Sequence, residues 1–127
     1  IVIDPRRSFG SKDRFPYVDL LLHSWPDSAL SELDLNSSTA VAVLTHDPKI
    51  DDLALVKALP SQAFYVGALG SQTTNALRLK RLREAGLKQQ DIDRLFAPIG
   101  LDIGGRSPQE IALAIMAEMT SIQYRGN

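Results

Sequence analysis

The sequence contains no cysteine, and that absence excludes several kinds of chemistry. Without a thiol, these 127 residues cannot form a disulfide, hold a metal through thiolates, or use cysteine as a nucleophile or sulfur carrier. Histidine is scarce as well: His23 and His46 are the only two, too few for a histidine-rich metal site. We therefore predict no metal centre and no cysteine-based catalysis within this chain.

Long apolar runs and a large net charge are also missing. No stretch approaches the roughly 20 apolar residues of a membrane-spanning helix. Lysine and arginine number 14 against 15 aspartate and glutamate, so the formal net charge is −1 and no global field attracts nucleic acid or anionic lipid. With 44% hydrophobic and 23% charged residues, the composition is globular, and we predict that residues 1–127 form one domain.

Short apolar runs alternate with helical patterns along the chain. The runs that predict strands are residues 1–3, 19–24, 39–45 and 63–66. Apolar residues three or four apart predict helices over 26–33, 50–59, 71–85 and 88–96, and a capping box at Ser107 begins a last helix that ends near Tyr124. The third strand is apolar throughout, which predicts cover on both faces. The alternation predicts an α/β, doubly wound fold with a mostly parallel sheet.

Polar residues gather where the predicted strands end. Ligands of open α/β sheets bind outside the carboxyl ends of the strands. The loops expected at that edge are residues 4–6, 23–25, 46–49 and 67–71. In the last of these, Gly67 and Gly70 precede a helix whose first N–H groups lack intrahelical partners and attract anions. The pattern fits two interpretations equally: a phosphate cradle, or a tight turn in which Ser71 only caps the helix.

Three further loops carry candidate binding residues. Asp4 ends the first strand, where it either accepts ribose hydroxyls, as an acid does in dinucleotide-binding folds, or simply terminates the strand with Pro5. His46 is suited to proton transfer or to donation to a phosphate, whereas Asp47 is suited to cap the next turn and leave His46 structural. Asp102 lies between glycines, which allow close approach of the backbone to a ligand or to the sheet.

Two helices have an unusual composition. The helix predicted over residues 71–85 is basic, and we expect its cationic side chains to be solvated, with a phosphate or partner role as the less favoured alternative. These side chains are Arg78, Lys80, Arg81 and Arg83. The last helix is rich in alanine, which favours a place in the core or in a subunit interface, as in a homodimer.

Six stretches of the sequence, taken together, resemble one family. They are IDPR at 3–6, DRFP at 13–16, WP at 25–26, TAVAVLTHDPKIDDLAL at 39–55, YVGALGSQTTNALRLKRLREAGL at 65–87 and APIGLDIGGRSPQEIALAIMAEM at 97–119. In this order they resemble the C-terminal, Rossmann-like domain of the xanthine dehydrogenase accessory family of the XdhC/CoxI type. Members carry a glycine-rich strand-loop-helix just before the IDPR stretch. The resemblance therefore implies a sheet that lacks its first strand and glycine-rich loop.

The resemblance implies a binding and maturation factor rather than a catalyst. Members bind molybdenum cofactor (molybdopterin), a pterin that bears a phosphate, and shelter it while its terminal sulfido ligand is installed. They then deliver it to the apo form of a xanthine dehydrogenase-type enzyme. A cytoplasmic protein with that enzyme and a sulfur-donating desulfurase as partners is expected. The implied cofactor-binding residues are Asp4, Arg6, His46, Asp47, Gly67, Gly70, Ser71 and Asp102.

Two other functions stay open from the residues alone. An NAD(P)-dependent oxidoreductase would hold ribose with Asp4 and move a proton with His46. That function also needs an upstream G-x-G-x-x-G and an acid or base in a substrate domain, and neither is visible in these residues. An assembly domain that binds no ligand would use the last helix as an interface and would form a stable dimer with an empty crevice.

Overall fold

A computed structural model describes residues 1–126, in which strands and helices alternate. The strands are β1 (Val2–Ile3), β2 (Leu21–Leu22), β3 (Ala40–Val43), β4 (Tyr65–Ala68) and β5 (Leu95–Phe96). The helices are α1 (Pro26–Glu32), α2 (Pro48–Ala58), α3 (Gln72–Glu84), α4 (Gln89–Ile92) and α5 (Pro108–Arg125). The predicted α/β class is confirmed. No helix of residues 1–126 combines the length and apolarity needed to cross a membrane.

All strand pairs are parallel, and they form two sheets with a groove between them. β1 pairs with β2, while β3, β4 and β5 form the second sheet in that order. In the Rossmann strand order 3-2-1-4-5-6, β2 and β1 fill the first two places and β3 to β5 the last three. No strand of residues 1–126 fills the place between β1 and β3. The predicted Rossmann-like sheet without its first strand is confirmed.

β4 shows why helices pack on both faces of the larger sheet. All four of its residues are buried. Val66 and Ala68 contact the core that includes residues of α1, α2 and α3, whereas Tyr65 packs with Ile99 and with Ile115 of α5 on the other face. A strand with both faces covered is apolar throughout. The doubly wound layering follows from this one strand.

The prediction of a helix over residues 88–96 was wrong in its second half. Only α4 forms there, one turn long, and the chain then enters β5. Leu95 and Phe96 pair with Val66 and Gly67 of β4. Their ladder hydrogen bonds and the stack of Phe96 on Tyr65, with ring centroids 4.9 Å apart, outweigh the helical spacing of the apolar residues.

The prediction that the third strand is covered on both sides was also wrong in part. Val43 is buried, but Ala42 is exposed. The carbonyls of Thr39 and Val43 accept hydrogen bonds from the β4 side. Because hydrogen bonding alternates along a strand, the backbone groups of Ala40 and Ala42 point the other way, into the groove. The edge position of β3 therefore leaves the backbone of Ala42 without a neighbouring strand on that side.

Candidate functional site

The groove between the two sheets reaches the edge where the candidate loops lie. Its volume is about 540 Å³, and β1, α1, β3 and α2 line it with mostly apolar side chains. Ile1 and Ile3 lie on one side and residues 39–45 on the other. Thr45 and Asp51 also line it, and Thr45 follows the carboxyl end of β3. The groove therefore opens toward the edge at which Rossmann-type folds bind their ligands.

The turn after β4 presents unpaired backbone donors. Ser71 caps α3, because its hydroxyl accepts from the Thr74 N–H at 3.1 Å. The N–H groups of residues 70–73, however, donate to no acceptor within residues 1–126. Gly70 has a φ of 145°, a conformation that side chains rarely adopt. Free N–H groups at the positive end of a helix of 13 residues suit a phosphate. Ser71 can therefore cap α3 while the preceding and following N–H groups form a phosphate cradle.

Gly67 does not lie in that turn. β4 continues to Ala68, two residues beyond the predicted end of the strand, so Gly67 is part of the sheet. A Cβ added at Gly67 would lie 2.5 Å from Cγ1 of Ile99. Glycine is required at this position because Ile99 packs directly on the strand. On that side Gly67 has no space for a ligand.

Asp4 and Arg6 engage each other at the end of β1. The buried Asp4 carboxylate accepts from the Arg6 N–H and Nε at 3.0 Å through Oδ1, and from Nη2 at 3.0 Å through Oδ2. Burial by itself raises the pKa of Asp4, but the hydrogen bonds and charge of Arg6 outweigh it, so this pKa lies below its ordinary value. A ribose at Asp4 would have to share this carboxylate with Arg6.

Arg6 also lies in the electrostatic field of the carboxylates that follow β3. The hydrogen bond to Asp4 raises the pKa of Arg6 most, and the carboxylates of Asp4, Asp47 and Asp51 raise it further. Asp47 and Asp51 belong to the segment that follows β3. The two sheets therefore bring predicted site residues from separate loops into one electrostatic environment.

The ion pair at the end of β1 predicts a pH dependence of stability. The pKa of Asp4 is depressed below 3.8 in the folded state, so its stabilising contribution is present above that value and is lost as the pH falls through the folded pKa. We expect Asp4→Asn to flatten the fall in the free energy of unfolding between about pH 5 and pH 2, measured by urea unfolding. The control is Asp13→Asn at an exposed position. Equal slopes for Asp4→Asn and the parent chain would contradict this account.

Asp47 has the capping role that the sequence predicted, and the binding role of His46 stays a prediction. Asp47 caps α2 by accepting from the Lys49 N–H at 3.0 Å, and its own N–H donates to Thr45 Oγ1 at 3.1 Å. His46 is exposed and has a φ of 67°, in the left-handed region that few non-glycine residues occupy. Strained residues of this kind cluster at binding sites, which supports a ligand contact for His46.

Asp102 is an exposed candidate residue that makes no contact with the other predicted site residues through hydrogen bonds within residues 1–126. It follows β5 on the segment 101–106, most of which is exposed, and it makes no hydrogen bond within residues 1–126. The N–H of Ile99 donates to the carbonyl of Ala68 at 3.0 Å, so this segment departs from the same edge as the Gly70 turn. The structure brings Asp102 to that edge without joining it to the other candidates.

Sequence reasoning missed a buried polar cluster beneath these loops. Thr45 Oγ1 donates to Asp51 Oδ1 at 2.5 Å, and Arg78 Nη2 lies 3.8 Å from Asp51 Oδ2. Arg78 also donates to the carbonyl of Leu69 at 3.1 Å. The prediction that Arg78 is solvated was therefore wrong, since it is only 2% exposed.

A signal for this cluster was present in the sequence. Asp51 lies on the buried stripe of α2, next to Ile50 and one turn before Leu55. Arg78 lies one turn before the buried Leu82 on α3. Opposite charges on the apolar stripes of two successive helices predict a buried pair, because an unpaired charge there is costly.

Two parallel sheets whose strands follow the Rossmann order, with a glycine turn and free N–H groups at the carboxyl edge, define a Rossmann-type domain. Within that class, residues 1–119 match the model of the XdhC Rossmann domain family, and the chain belongs to that family. The predicted resemblance is confirmed.

Named relatives agree with this assignment. The chain is 35% identical over 107 residues to the molybdenum cofactor insertion chaperone PaoD of Escherichia coli (strain K12), covering 84% of this chain and 33% of the relative. It is 31% identical over 125 residues to a protein of Bacillus subtilis (strain 168) named as a probable subunit of xanthine dehydrogenase, covering 98% and 36% respectively. A crystal structure described as a xanthine dehydrogenase from Bacillus halodurans superposes with a TM-score of 0.78 at 30% identity, over 98% of this chain and 35% of that one. The chain thus spans about a third of each of these proteins.

Proposed function

We propose that this chain is the cofactor-binding domain of an accessory factor that holds molybdenum cofactor and supports its sulfuration and insertion into a xanthine dehydrogenase-type enzyme. The observation that carries the proposal is the row of unpaired N–H groups at residues 70–73, beside strand ends that hold Arg6 and His46. Membership of the XdhC family and the likeness to a chaperone named for molybdenum cofactor insertion support this choice of cargo.

The residues present fit the phosphate of such a cofactor. The N–H groups of residues 70–73 donate to its oxygens, and Gly70 allows the close approach because it has no side chain. His46, exposed at the neighbouring strand end, adds a donor. This arrangement binds and shelters its cargo by fixed donors, and it needs no catalytic side chain of this chain.

The proposal includes a partner for the sulfuration step. These 127 residues contain no cysteine, so no thiol within them carries the sulfur atom. In this proposal a sulfur-donating desulfurase supplies it while the cofactor is held. The molybdoenzyme that accepts the finished cofactor is the second partner.

A homodimer through α5 stays a prediction. Three large side chains on its outer face are well exposed: Leu113 at 63%, Met116 at 56% and Tyr124 at 79%. Their spacing of three and eight residues places them on one stripe of the helix. Such a stripe suits an interface with another subunit or domain, as the alanine-rich composition predicts.

The nucleotide-binding alternative is less favoured by the geometry. Both oxygens of Asp4 accept hydrogen bonds from Arg6, so a ribose hydroxyl would share the carboxylate with the guanidinium. Breaking the pair to free the carboxylate would leave the buried Asp4 without its charged partner, which costs more than breaking an exposed pair.

The Gly70 turn is tested by Gly70→Asp. An aspartate there must adopt a φ that side chains rarely adopt, and its carboxylate competes with the phosphate for the same N–H groups. We expect the affinity for molybdenum cofactor, measured by calorimetric titration, to fall at least tenfold, about 1.4 kcal/mol.

The matched control for this variant is Gly86→Asp. Gly86 also has a positive φ, of 94°, and nothing lies within 4 Å of a Cβ built on it. The control introduces the same charge and a similar backbone strain at the other end of α3, and we expect it to retain affinity. Normal cofactor retention by a folded Gly70→Asp variant would remove the turn from the site.

A further inference from the structure

We propose that the buried pair of Asp51 and Arg78 is a positioning device that holds the Gly70 turn and the Thr45–Asp47 loop in register for cofactor binding. This inference rests on the proposed function. It assigns a role in ligand affinity to two buried side chains that contact the loops of the site.

Arg78 holds the Gly70 turn from beneath. Its side chain is 3% exposed, and Nη2 donates to the carbonyl of Leu69, the residue before Gly70. Nη1 lies 3.6 Å from the point where a Cβ of Gly70 would stand. The guanidinium therefore lies directly against the backbone whose N–H groups form the cradle.

Asp51 holds the neighbouring loop. Its Oδ1 accepts from Thr45 Oγ1, which in turn accepts from the Asp47 N–H at 3.1 Å. The Asp51 N–H donates to the carbonyl of Asp47 at 2.8 Å. One hydrogen bond, from Thr45, therefore joins this loop to the Asp51 carboxylate, and Thr45 passes the connection on to the Asp47 N–H next to His46.

The pair that joins these two loops is not closed by a hydrogen bond. Arg78 Nη2 and Asp51 Oδ2 lie 3.8 Å apart, which is beyond hydrogen-bond distance. Asp51 Oδ2, Arg78 Nε and Arg78 Nη1 are buried and have no hydrogen-bond partner within residues 1–126. Unsatisfied buried donors are costly, and they are rare unless they serve a function. One of them, Arg78 Nη1, lies against the Gly70 turn, so an unpaired donor and the guanidinium charge stand next to that backbone.

A second ion pair on the same two helices offers a matched control. Arg81 Nε lies 2.6 Å from Asp52 Oδ2, three residues along α3 and one along α2. Its side chains are 37% and 24% exposed, and no hydrogen bond from them reaches either loop within residues 1–126. Both pairs connect α2 to α3, but only the Asp51–Arg78 pair contacts the loops of the site.

The test compares Arg78→Met, Asp51→Asn, the double variant and Arg81→Met in the full chain. Affinity for molybdenum cofactor is measured by calorimetry, and the unfolding midpoint is measured in urea. We expect each single change at the buried pair to weaken binding roughly tenfold and Arg81→Met to change it less than about twofold. The double variant is expected to recover stability, because neither partner is left as an uncompensated buried charge, while its affinity stays low.

Hydrogen exchange separates this inference from the proposed function. The Leu69 N–H, which donates to Val43 at 3.0 Å, and the Asn75 N–H, which donates to Ser71 at 2.9 Å, are expected to exchange faster in Arg78→Met than in Arg81→Met without any ligand. If the parent chain binds no cofactor but this difference is seen, the cargo assignment fails and the positioning role stands. Unchanged affinity in folded Arg78→Met, recovery of both stability and affinity in the double variant, or failure of the double variant to fold would each overturn the inference.

Discussion

Replacing Arg94 with methionine is expected to lower the free energy of unfolding by about 3 kcal/mol. The Arg94 guanidinium donates to the carbonyls of Leu59, Ser61 and Ala63, with the Ser61 contact at 2.8 Å. These carbonyls belong to the chain as it leaves α2 and approaches β4. Methionine fills similar space but donates nothing, so three carbonyls lose their charged donor at once.

The control for this change is Arg83→Met. Arg83 is exposed and its Nε donates to Gln89 at 3.1 Å, so we expect a change within about 0.5 kcal/mol. Urea unfolding followed by circular dichroism measures both variants. Equal effects of the two substitutions would mean that the three carbonyl contacts of Arg94 add no stability.

Replacing Gly67 with alanine is expected to destabilise the fold by about 2 kcal/mol, through overpacking of the sheet face beneath α5. The added Cβ would meet Ile99 Cγ1 at 2.5 Å and Cδ1 at 2.7 Å, and a ring carbon of Tyr65 at 3.0 Å. Ile99 is buried and packs with Ile115 of α5, so it has little room to move. To relieve the clash, Ile99 and the residues packed against it would have to shift together.

A double-mutant cycle isolates this clash. In an Ile99→Ala background the two nearest obstructing atoms are gone and only the Tyr65 contact remains, so Gly67→Ala is expected to cost less there than in the parent chain. The unfolding free energies of the parent chain, the two single variants and the double variant give the coupling energy between positions 67 and 99. Strict additivity of the two single effects would contradict the packing role of Gly67 and would make it a candidate ligand contact again.

Much of the fold was predictable because it depends on local signals. The last helix begins at the predicted capping box, in which the Glu110 N–H donates to Ser107 Oγ at 3.1 Å and Glu110 Oε1 accepts from the Ser107 N–H at 3.0 Å. Strands β1 to β4 overlap the apolar runs that predicted them. Each of these features needs only neighbours in sequence.

The parts that failed depend on partners distant in sequence. Leu95 and Phe96 form a strand because β4 offers them an edge, and their own spacing favoured a helix. Arg78 is buried because Asp51 faces it across two helices. Gly67 was predicted as a turn residue, since nothing local shows that Ile99 packs on it.

In the candidate site, too, the features set by neighbours in sequence were predictable and the others were not. Ser71 and Asp47 were predicted as caps by their positions before helices, and both accept the expected N–H groups. The binding roles of the eight predicted residues stay predictions, because a binding role depends on what approaches the edge of the sheet. The geometry favours Gly70, Ser71 and His46 and gives Asp102 no neighbour among the others.

The central claim is tested most directly by calorimetric titration of the chain with purified molybdenum cofactor and, in parallel, with NAD and NADP. The account predicts binding of the cofactor at micromolar strength or better, about −8 kcal/mol, and no binding of either nucleotide. Binding of a nucleotide without binding of molybdenum cofactor would contradict it and would favour the oxidoreductase. If neither molybdenum cofactor nor NAD nor NADP binds, the claim that these residues alone form a binding site for the cofactor is contradicted.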